Sequence, residues 1–224
     1  MFLFSHATHI EQGIAHTTQG GIDAHAEKEL LEELKKELSN SNIEDIIGAQ
    51  IFLHLPNDVI KENHIDNILA MRGDIPKDFV KPQGEYYTYA SDLVSKIKDY
   101  GYFDIGGACY PECHPECDSL EKDIDHLKIK VDCGVDFLIT QLFYDNELFY
   151  SFLDKVRNKG IIAPVFAGIM PITNANQVAR AIQLSGSFMP QRFKAIVDKF
   201  GKSPAAMMQA GIAYATDQII DLYA

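Results

Sequence analysis

The sequence predicts an α/β fold in which helices cover a parallel β-sheet. From residue 66 onward, short apolar segments alternate with amphipathic helical segments, which is typical of βα units around a parallel sheet. The apolar segments are nearly continuous runs, as expected for strands that are buried on both faces. The chain has 224 residues, of which 46% are hydrophobic, so it is long enough to enclose a core of this kind.

Four strand candidates follow one another in this part of the chain, and a helical pattern follows each of them. The candidates span residues 67–73, 104–110, 137–144 and 163–170, and a fifth lies at 46–55. Residues 1–65 are predicted to form a divergent segment of helix and strand, with a charged amphipathic helix over 24–39. We therefore expect one domain whose main α/β portion spans residues 66–224.

Capping residues mark the ends of two predicted helices. Ser119 can cap the helix that follows the second strand, and Gly134 follows its end. Asp145 is expected to cap the next helix, which stops at Gly160. Both helices carry apolar residues at helical spacing, so each is expected to pack one face on the sheet.

Beyond residue 170 the pattern is wholly helical, with segments over 174–184, 190–200 and 203–222. The last segment opens with Ser203 and Pro204, the usual order of a cap and a first-turn proline. In a fold of alternating units, a final helix that no strand follows suggests that one further strand has been cut away.

The bulk composition disfavours several classes of partner. A net charge of −12 and a pI near 5.0 repel phosphate backbones and anionic lipid, so neither nucleic acid nor a membrane is expected. The N-terminus lacks a basic flank and no apolar run approaches about 18 residues, which predicts a cytoplasmic protein. Three of the four cysteines crowd at Cys109, Cys113 and Cys117, which indicates reduced thiols.

Polar groups follow all four strand candidates at the point where each strand ends. They are Arg72 with Asp74, the 109–117 loop, Gln141, and the 168–177 passage. The carboxyl ends of parallel strands meet at one edge of a sheet, where α/β proteins bind their ligands. Packing alone does not require this coincidence, so the pattern predicts a shared pocket.

Each of these groups also has an ordinary structural interpretation. Arg72 and Asp74 could neutralise each other, and Gln141 could be a core amide satisfied by neighbouring backbone. Asp123, His126 and Lys130 share one flank of the predicted helix. That flank suits a phosphate-bearing cofactor or, by the simpler interpretation, a solvated helix face.

The cysteine-rich loop also raises the question of a zinc site, because His114 lies among its three cysteines. The intervals between these residues do not match the spacing of zinc fingers, and two prolines stiffen the loop. We therefore expect no metal site in this chain, and a metal-binding module is the weakest of the functional interpretations.

Five ordered motifs together resemble the methylenetetrahydrofolate reductase family. They are Leu69-Ala70-Met71-Arg72-Gly73-Asp74, Tyr89-Ala90-Ser91-Asp92-Leu93, Tyr110-Pro111-Glu112 with His114-Pro115-Glu116, Ile139-Thr140-Gln141, and Gly168-Ile169-Met170-Pro171. The resemblance runs from about residue 66 to the C-terminus and implies a (β/α)8 barrel of the TIM type that binds FAD. In this family NAD(P)H reduces the flavin, which passes hydride to 5,10-methylenetetrahydrofolate to give the 5-methyl form, a step of one-carbon metabolism.

The resemblance also assigns residues to ligands by motif position. Asp74 and Gln141 would be catalytic and would contact the folate together with Gln177, with Gln141 at the amide edge of the pterin. Asp74 would also lie near the flavin, where a carboxylate disfavours the anionic reduced form. The residues implied to border FAD are Arg72, Gly73, Asp74, Ala90, Tyr110, His114, Cys117, Asp123, His126, Ile129 and Lys130.

The chain departs from the family pattern at both ends. The family's first strand carries a glutamate that acts as a general acid, and we find no matching segment in residues 1–65. The eighth strand would lie past Ala224. These departures predict an incomplete barrel, with altered or missing N-terminal and eighth strands, that is stabilised by self-association, a partner or FAD. The alternative function is a non-catalytic or truncated paralogue that serves as a flavin-binding or interaction subunit.

Overall fold

The computed structural model describes residues 67–72 and 87–224. These residues contain four β-strands and six α-helices. The strands are β1 (Asn67–Ala70), β2 (Asp104–Cys109), β3 (Phe137–Thr140) and β4 (Val165–Phe166), and the helices are α1 (Ala90–Lys98), α2 (Leu120–Asp132), α3 (Asn146–Asn158), α4 (Ala175–Ser185), α5 (Gln191–Phe200) and α6 (Pro204–Tyr223). The predicted strand at 46–55, the predicted helix at 24–39, Gly73 and Asp74 lie outside the described residues.

The four strands form one sheet in the order β1-β2-β3-β4. β1 and β2 are parallel, with Asn67 opposite Asp104 and Ala70 opposite Gly107. A helix follows each strand along the chain. The predicted α/β arrangement is therefore confirmed over the residues that the structure describes.

All four strands are shorter than the sequence predicts, and β3 shows why. The apolar run predicts a strand to residue 144, whereas β3 ends at Thr140. Leu142, Phe143 and Tyr144 follow the strand but remain buried. Their apolar character therefore reflects burial in the core rather than strand pairing, and periodicity alone does not separate the two.

Capping residues set the helix ends where the sequence predicts them. The backbone N–H of Lys122 donates to Ser119 Oγ (3.3 Å), and that of Glu147 donates to Asp145 Oδ1 (3.1 Å). Gly134 follows α2 with φ at +122°, a backbone conformation that glycine adopts without strain. These local hydrogen bonds explain why the ends of α2 and α3 could be predicted closely.

The described residues divide into two compact units, which we name by their residues. Unit I comprises residues 109–128 and 139–224, and unit II comprises residues 67–72, 87–108 and 129–138. In unit II, α1 packs against β1 and buries Leu93, Val94 and Ile97. Removing these three side chains from water is a main source of stability for this unit.

The core of unit I is an apolar cluster. Its residues come from the segments after β3 and β4 and from the region of the last three helices. Its buried members are Tyr144, Ile172, Ala181, Met189, Phe193 and Met207. Tyr214 adds a T-shaped contact to Phe193, with ring centroids 4.8 Å apart. Its hydroxyl donates to the Tyr144 carbonyl (2.6 Å), so the aromatic residues are fixed by packing and by a hydrogen bond.

Helix α6 is the longest helix of the described ranges. Pro204 lies in its first turn, and Met207, Gly211, Ala215 and Gln218 form its buried face. The Gln218 side chain donates to the Phe143 carbonyl (3.0 Å), which ties the far end of the helix to the segment after β3. Neither α6 nor another helix within these ranges has the length and apolar character needed to cross a membrane.

Candidate functional site

The loop after β2 is an ordered turn structure held against the start of α2. Two backbone hydrogen bonds close its turns, from Cys113 N–H to Tyr110 O (3.3 Å) and from Cys117 N–H to His114 O (2.9 Å). The His114 backbone N–H donates to Asp123 Oδ2 (2.8 Å). The rings of Tyr110 and His114 meet edge to face at 4.6 Å. The loop therefore presents a fixed aromatic pair beside the helix.

The thiols of this loop are engaged with backbone carbonyls. Cys113 Sγ donates to His114 O (3.5 Å), and Cys117 Sγ donates to Ser119 O (3.5 Å). Burial, followed by the negative charge of Asp123, raises the pKa of Cys113 to about 11. A thiol with this pKa stays protonated at neutral pH, and only the thiolate is a strong nucleophile or metal ligand.

The zinc interpretation of the loop gains no support from the geometry. Within residues 67–72 and 87–224, no group of three or more histidine, cysteine, aspartate or glutamate side chains is placed to hold a metal ion. His114 Nδ1 accepts the backbone N–H of Glu116 (3.0 Å), so this ring nitrogen is used within the loop itself.

The predicted polar flank of α2 is present in the structure. Asp123, His126 and Lys130 lie three and four residues apart on this helix, so they share one side of it. Lys130 donates from Nζ to the Ala108 carbonyl. Ile129, beside this flank, is 56% exposed, so it adds apolar surface next to these polar side chains.

Gln141 lies directly after β3 and is buried, with 8% of its surface exposed. Its side-chain Oε1 accepts the Leu142 backbone N–H (2.8 Å), and its own backbone N–H donates to Cys109 O (2.7 Å). Its side-chain Nε2 forms no hydrogen bond within the described residues. The neighbouring backbone therefore satisfies the oxygen, as the structural interpretation expects, and leaves the amide donor for another group.

Gln141 and Tyr110 line the same shallow cleft of unit I, which is open to solvent. The structure thus brings together two residues that the sequence predicts for the site. The cleft is lined by Tyr110, Pro111, Glu112, Cys113, Gln141, Leu142 and Ser187.

Sequence reasoning missed two polar residues of this cleft, Glu112 and Ser187. Glu112 Oε2 accepts the Phe188 backbone N–H (2.6 Å), whereas its Oε1 is buried without a partner among the described residues. The pKa of the Glu112 carboxyl is raised, mainly by burial. The Phe188 hydrogen bond lowers this pKa, and the negative charge of Asp145 raises it. Ser187 is buried and its Oγ donates to the Leu142 carbonyl.

The remaining predicted residues occupy other positions. Gln177 caps α4, because its Oε1 accepts the backbone N–H groups of Thr173 and Asn174 (3.2 Å each). Arg72 and Ala90 belong to unit II, where Arg72 follows β1 and Ala90 is the first residue of α1. Their proposed roles, and those of Gly73 and Asp74, rest on the sequence motifs.

A parallel sheet that helices follow along the chain, with Tyr110 and Gln141 beside one cleft after β2 and β3, places this protein in the α/β class. Comparison with known proteins narrows this class. The family model described as "Methylenetetrahydrofolate reductase" matches residues 50–224. The chain belongs to the methylenetetrahydrofolate reductase family, which confirms the resemblance inferred from the five motifs.

Curated relatives support this assignment. "Methylenetetrahydrofolate reductase 1" of Schizosaccharomyces pombe is 47% identical over 130 residues, which cover 57% of this chain and 22% of the relative. "5,10-methylenetetrahydrofolate reductase" of Pectobacterium carotovorum subsp. carotovorum is 35% identical over 158 residues, 70% of this chain and 52% of the relative. "Methylenetetrahydrofolate reductase (NADH) 1" of Arabidopsis thaliana is 37% identical over 203 residues, which cover 79% of this chain and 34% of the relative. The chain thus spans about half, or less, of the length of these relatives.

Proposed function

We propose that this chain reduces 5,10-methylenetetrahydrofolate to 5-methyltetrahydrofolate with NAD(P)H, as an FAD-dependent reductase with a (β/α)8-barrel fold. The observation that carries the proposal is the hydrogen bonding of the Gln141 side chain. Its oxygen accepts the Leu142 backbone N–H, and its Nε2 forms no hydrogen bond within the described residues, so this donor is proposed to contact the ligand. An oriented amide NH2 group can donate to a carbonyl on a planar heterocycle.

The residues present fit a flavin nucleotide. The Tyr110 and His114 rings offer an aromatic edge, and the exposed Ile129 offers apolar surface next to the polar flank of α2. His126 and Lys130 supply the local basic groups that an anionic cofactor needs in a chain of net charge −12. When bound, FAD would supply the hydride-carrying chemistry, and this chain would bind and orient it.

Further residues of the proposed FAD site are assigned by motif position alone. They are Arg72, Gly73, Asp74, Ala90, Cys117 and Asp123. In the structure Asp123 holds the loop through the His114 backbone, so its proposed part is to position His114 and Tyr110. Asp74, with Gln141 and Gln177, is proposed to contact the folate, with Asp74 and Gln141 as the catalytic residues.

The reductant is proposed to be a nicotinamide nucleotide. The relative from Arabidopsis thaliana carries NADH in its name, which favours NADH as the first reductant to assay. We also propose that the chain is cytoplasmic. It is further proposed to self-associate or to be stabilised by a partner.

The alternative is a non-catalytic paralogue that binds flavin or a partner. The names of the three relatives above all denote reductases, which favours the enzyme. Residues 1–65 contain no segment that resembles the family's first-strand glutamate motif, so an activity assay distinguishes the two candidates.

Anaerobic half-reactions test the proposed function and separate the two candidates. We expect the purified 224-residue chain, loaded with FAD, to lose its flavin absorbance on addition of NADH or NADPH. Adding 5,10-methylenetetrahydrofolate should then restore the absorbance. Reduction by the nucleotide without reoxidation by the folate would favour the paralogue, and a chain that does not bind FAD would contradict both.

A further inference from the structure

We propose that Glu112 and Ser187 are positioning residues that set the orientation of the Gln141 carboxamide. This inference rests on the proposed function, because it concerns the proposed folate contact of Gln141. It gives a role to two residues of the cleft to which the proposed function assigns no ligand. The inference explains which interactions fix the positions of the oxygen and the NH2 group of Gln141 within the cleft.

The first contact in the chain of interactions joins the loop after β2 to the segment that follows α4. Glu112 Oε2 accepts the Phe188 backbone N–H at 2.6 Å. Phe188 itself is 52% exposed, and its ring lies 5.4 Å from Lys194 Nζ. Met189, the next residue, is buried in the core cluster, and the segment is thereby fixed on both sides of the Phe188 peptide.

The second contact joins the same segment to the chain after β3. Ser187 is only 4% exposed, and its hydroxyl donates to the Leu142 carbonyl. The Leu142 backbone N–H in turn donates to Gln141 Oε1 at 2.8 Å. A route of direct contacts therefore leads from Glu112 through the Ser187–Phe188 segment and Leu142 to the amide of Gln141.

The physical consequence follows from the symmetry of a carboxamide. Its oxygen and NH2 group have nearly the same shape, so a rotation of 180° exchanges the acceptor and the donor at little steric cost. A fixed Leu142 N–H binds only the oxygen, which leaves Nε2 for the proposed folate contact. If the Leu142 peptide is released, the donor is no longer selected and the folate loses its oriented partner.

The test uses Ser187→Ala, with Ser187→Thr as the conservative variant and Ser151→Ala as the matched control. Ser151 is exposed on α3. We expect Ser187→Ala to raise the KM for 5,10-methylenetetrahydrofolate about tenfold, as expected for one weakened hydrogen bond. Reduction of the flavin by NADH should be unchanged, and Ser187→Thr should recover most of the loss because it keeps the hydroxyl.

Glu112→Gln tests the first contact, since a glutamine oxygen can still accept from Phe188. We expect its folate KM to stay within about twofold of the wild-type value, whereas Glu112→Ala should behave like Ser187→Ala. Slower flavin reduction by NADH in both alanine variants would overturn the proposal, because it would indicate general loosening of unit I.

A second readout does not depend on activity. The side-chain NH2 signals of Gln141 in a ¹⁵N-glutamine sample can be assigned by their loss in Gln141→Leu. We expect Ser187→Ala to shift or broaden these signals and to leave those of Gln209, exposed on α6, unchanged. Unchanged Gln141 signals would overturn the proposal even if the chain reduces no folate, so the two failures remain distinguishable.

Discussion

The Gly211→Ala variant is expected to lose about 3 kcal/mol or more of unfolding free energy, the range seen for overpacked cores. A methyl group at Gly211 would lie 1.8 Å from the Ile172 carbonyl oxygen and 2.8 Å from its carbon. Both are backbone atoms, so no side chain can rotate away to make room. The buried face of α6 must therefore move off the core of unit I, which loses the contacts of Met207.

Urea unfolding followed by circular dichroism measures this effect, with Ala213→Gly as the control. Ala213 lies on the exposed side of the same helix, and its replacement should cost only about 1 kcal/mol, the helix propensity difference. Glycine-to-alanine changes inside helices normally stabilise by a similar amount. A Gly211→Ala variant as stable as the wild type would therefore contradict the close approach of α6 to Ile172.

The second large effect is expected for Gln141→Glu, which keeps the shape of the side chain and its acceptor for Leu142 but removes the NH2 donor. We expect the rate of flavin reoxidation by 5,10-methylenetetrahydrofolate to fall about 100-fold, which corresponds to the upper end of the cost of an unpaired buried polar group. Reduction of the flavin by NADH should change little, because the proposed function assigns this donor to the folate.

Stopped-flow absorbance measures the two half-reactions separately. Gln209→Glu is the matched control, because it makes the same chemical change at an exposed position of α6. Its two rates should equal those of the wild type. If Gln141→Glu reoxidises as fast as the wild type, Gln141 does not hold the folate, and the substrate contact must be sought elsewhere in the chain.

The sequence predicts the helices of this fold better than its strands, for a local reason. The caps at Ser119 and Asp145 are hydrogen bonds between residues two or three positions apart, so a short stretch of sequence contains the whole signal. The end of β3 depends instead on where Leu142 to Tyr144 are buried in the core. Sheet pairing and burial give the same apolar run, so the strand was predicted too long.

The same distinction applies to the candidate site. Gln141 could be predicted because an amide at the end of an apolar strand is conspicuous in the sequence alone. Glu112 and Ser187 could not be assigned a place in it, because their hydrogen bonds span 76 and 45 residues. Neither periodicity nor the spacing of residues in the sequence indicates a contact over such a distance along the chain. Glu112 stands within a motif of the family resemblance, whereas Ser187 has no sequence signal that we can identify.

The motifs predict the family, and the comparisons confirm it. They also place the start of the matching region earlier in the chain. The motifs indicate a match from about residue 66, whereas the family model begins at residue 50. The added residues precede all five motifs, the first of which begins at Leu69. Short or degraded motifs are not distinctive individually, although a model of the whole family can detect them together.

The central claim is that the segments after β2 and β3 bind the flavin and the folate. Hydrogen exchange measured by mass spectrometry, with and without saturating FAD, tests it most directly. We predict slower exchange in residues 110–130 and 139–142 when FAD is present, and unchanged exchange at the exposed C-terminal end of α6. Protection confined to other segments, or no protection at all, would contradict the claim.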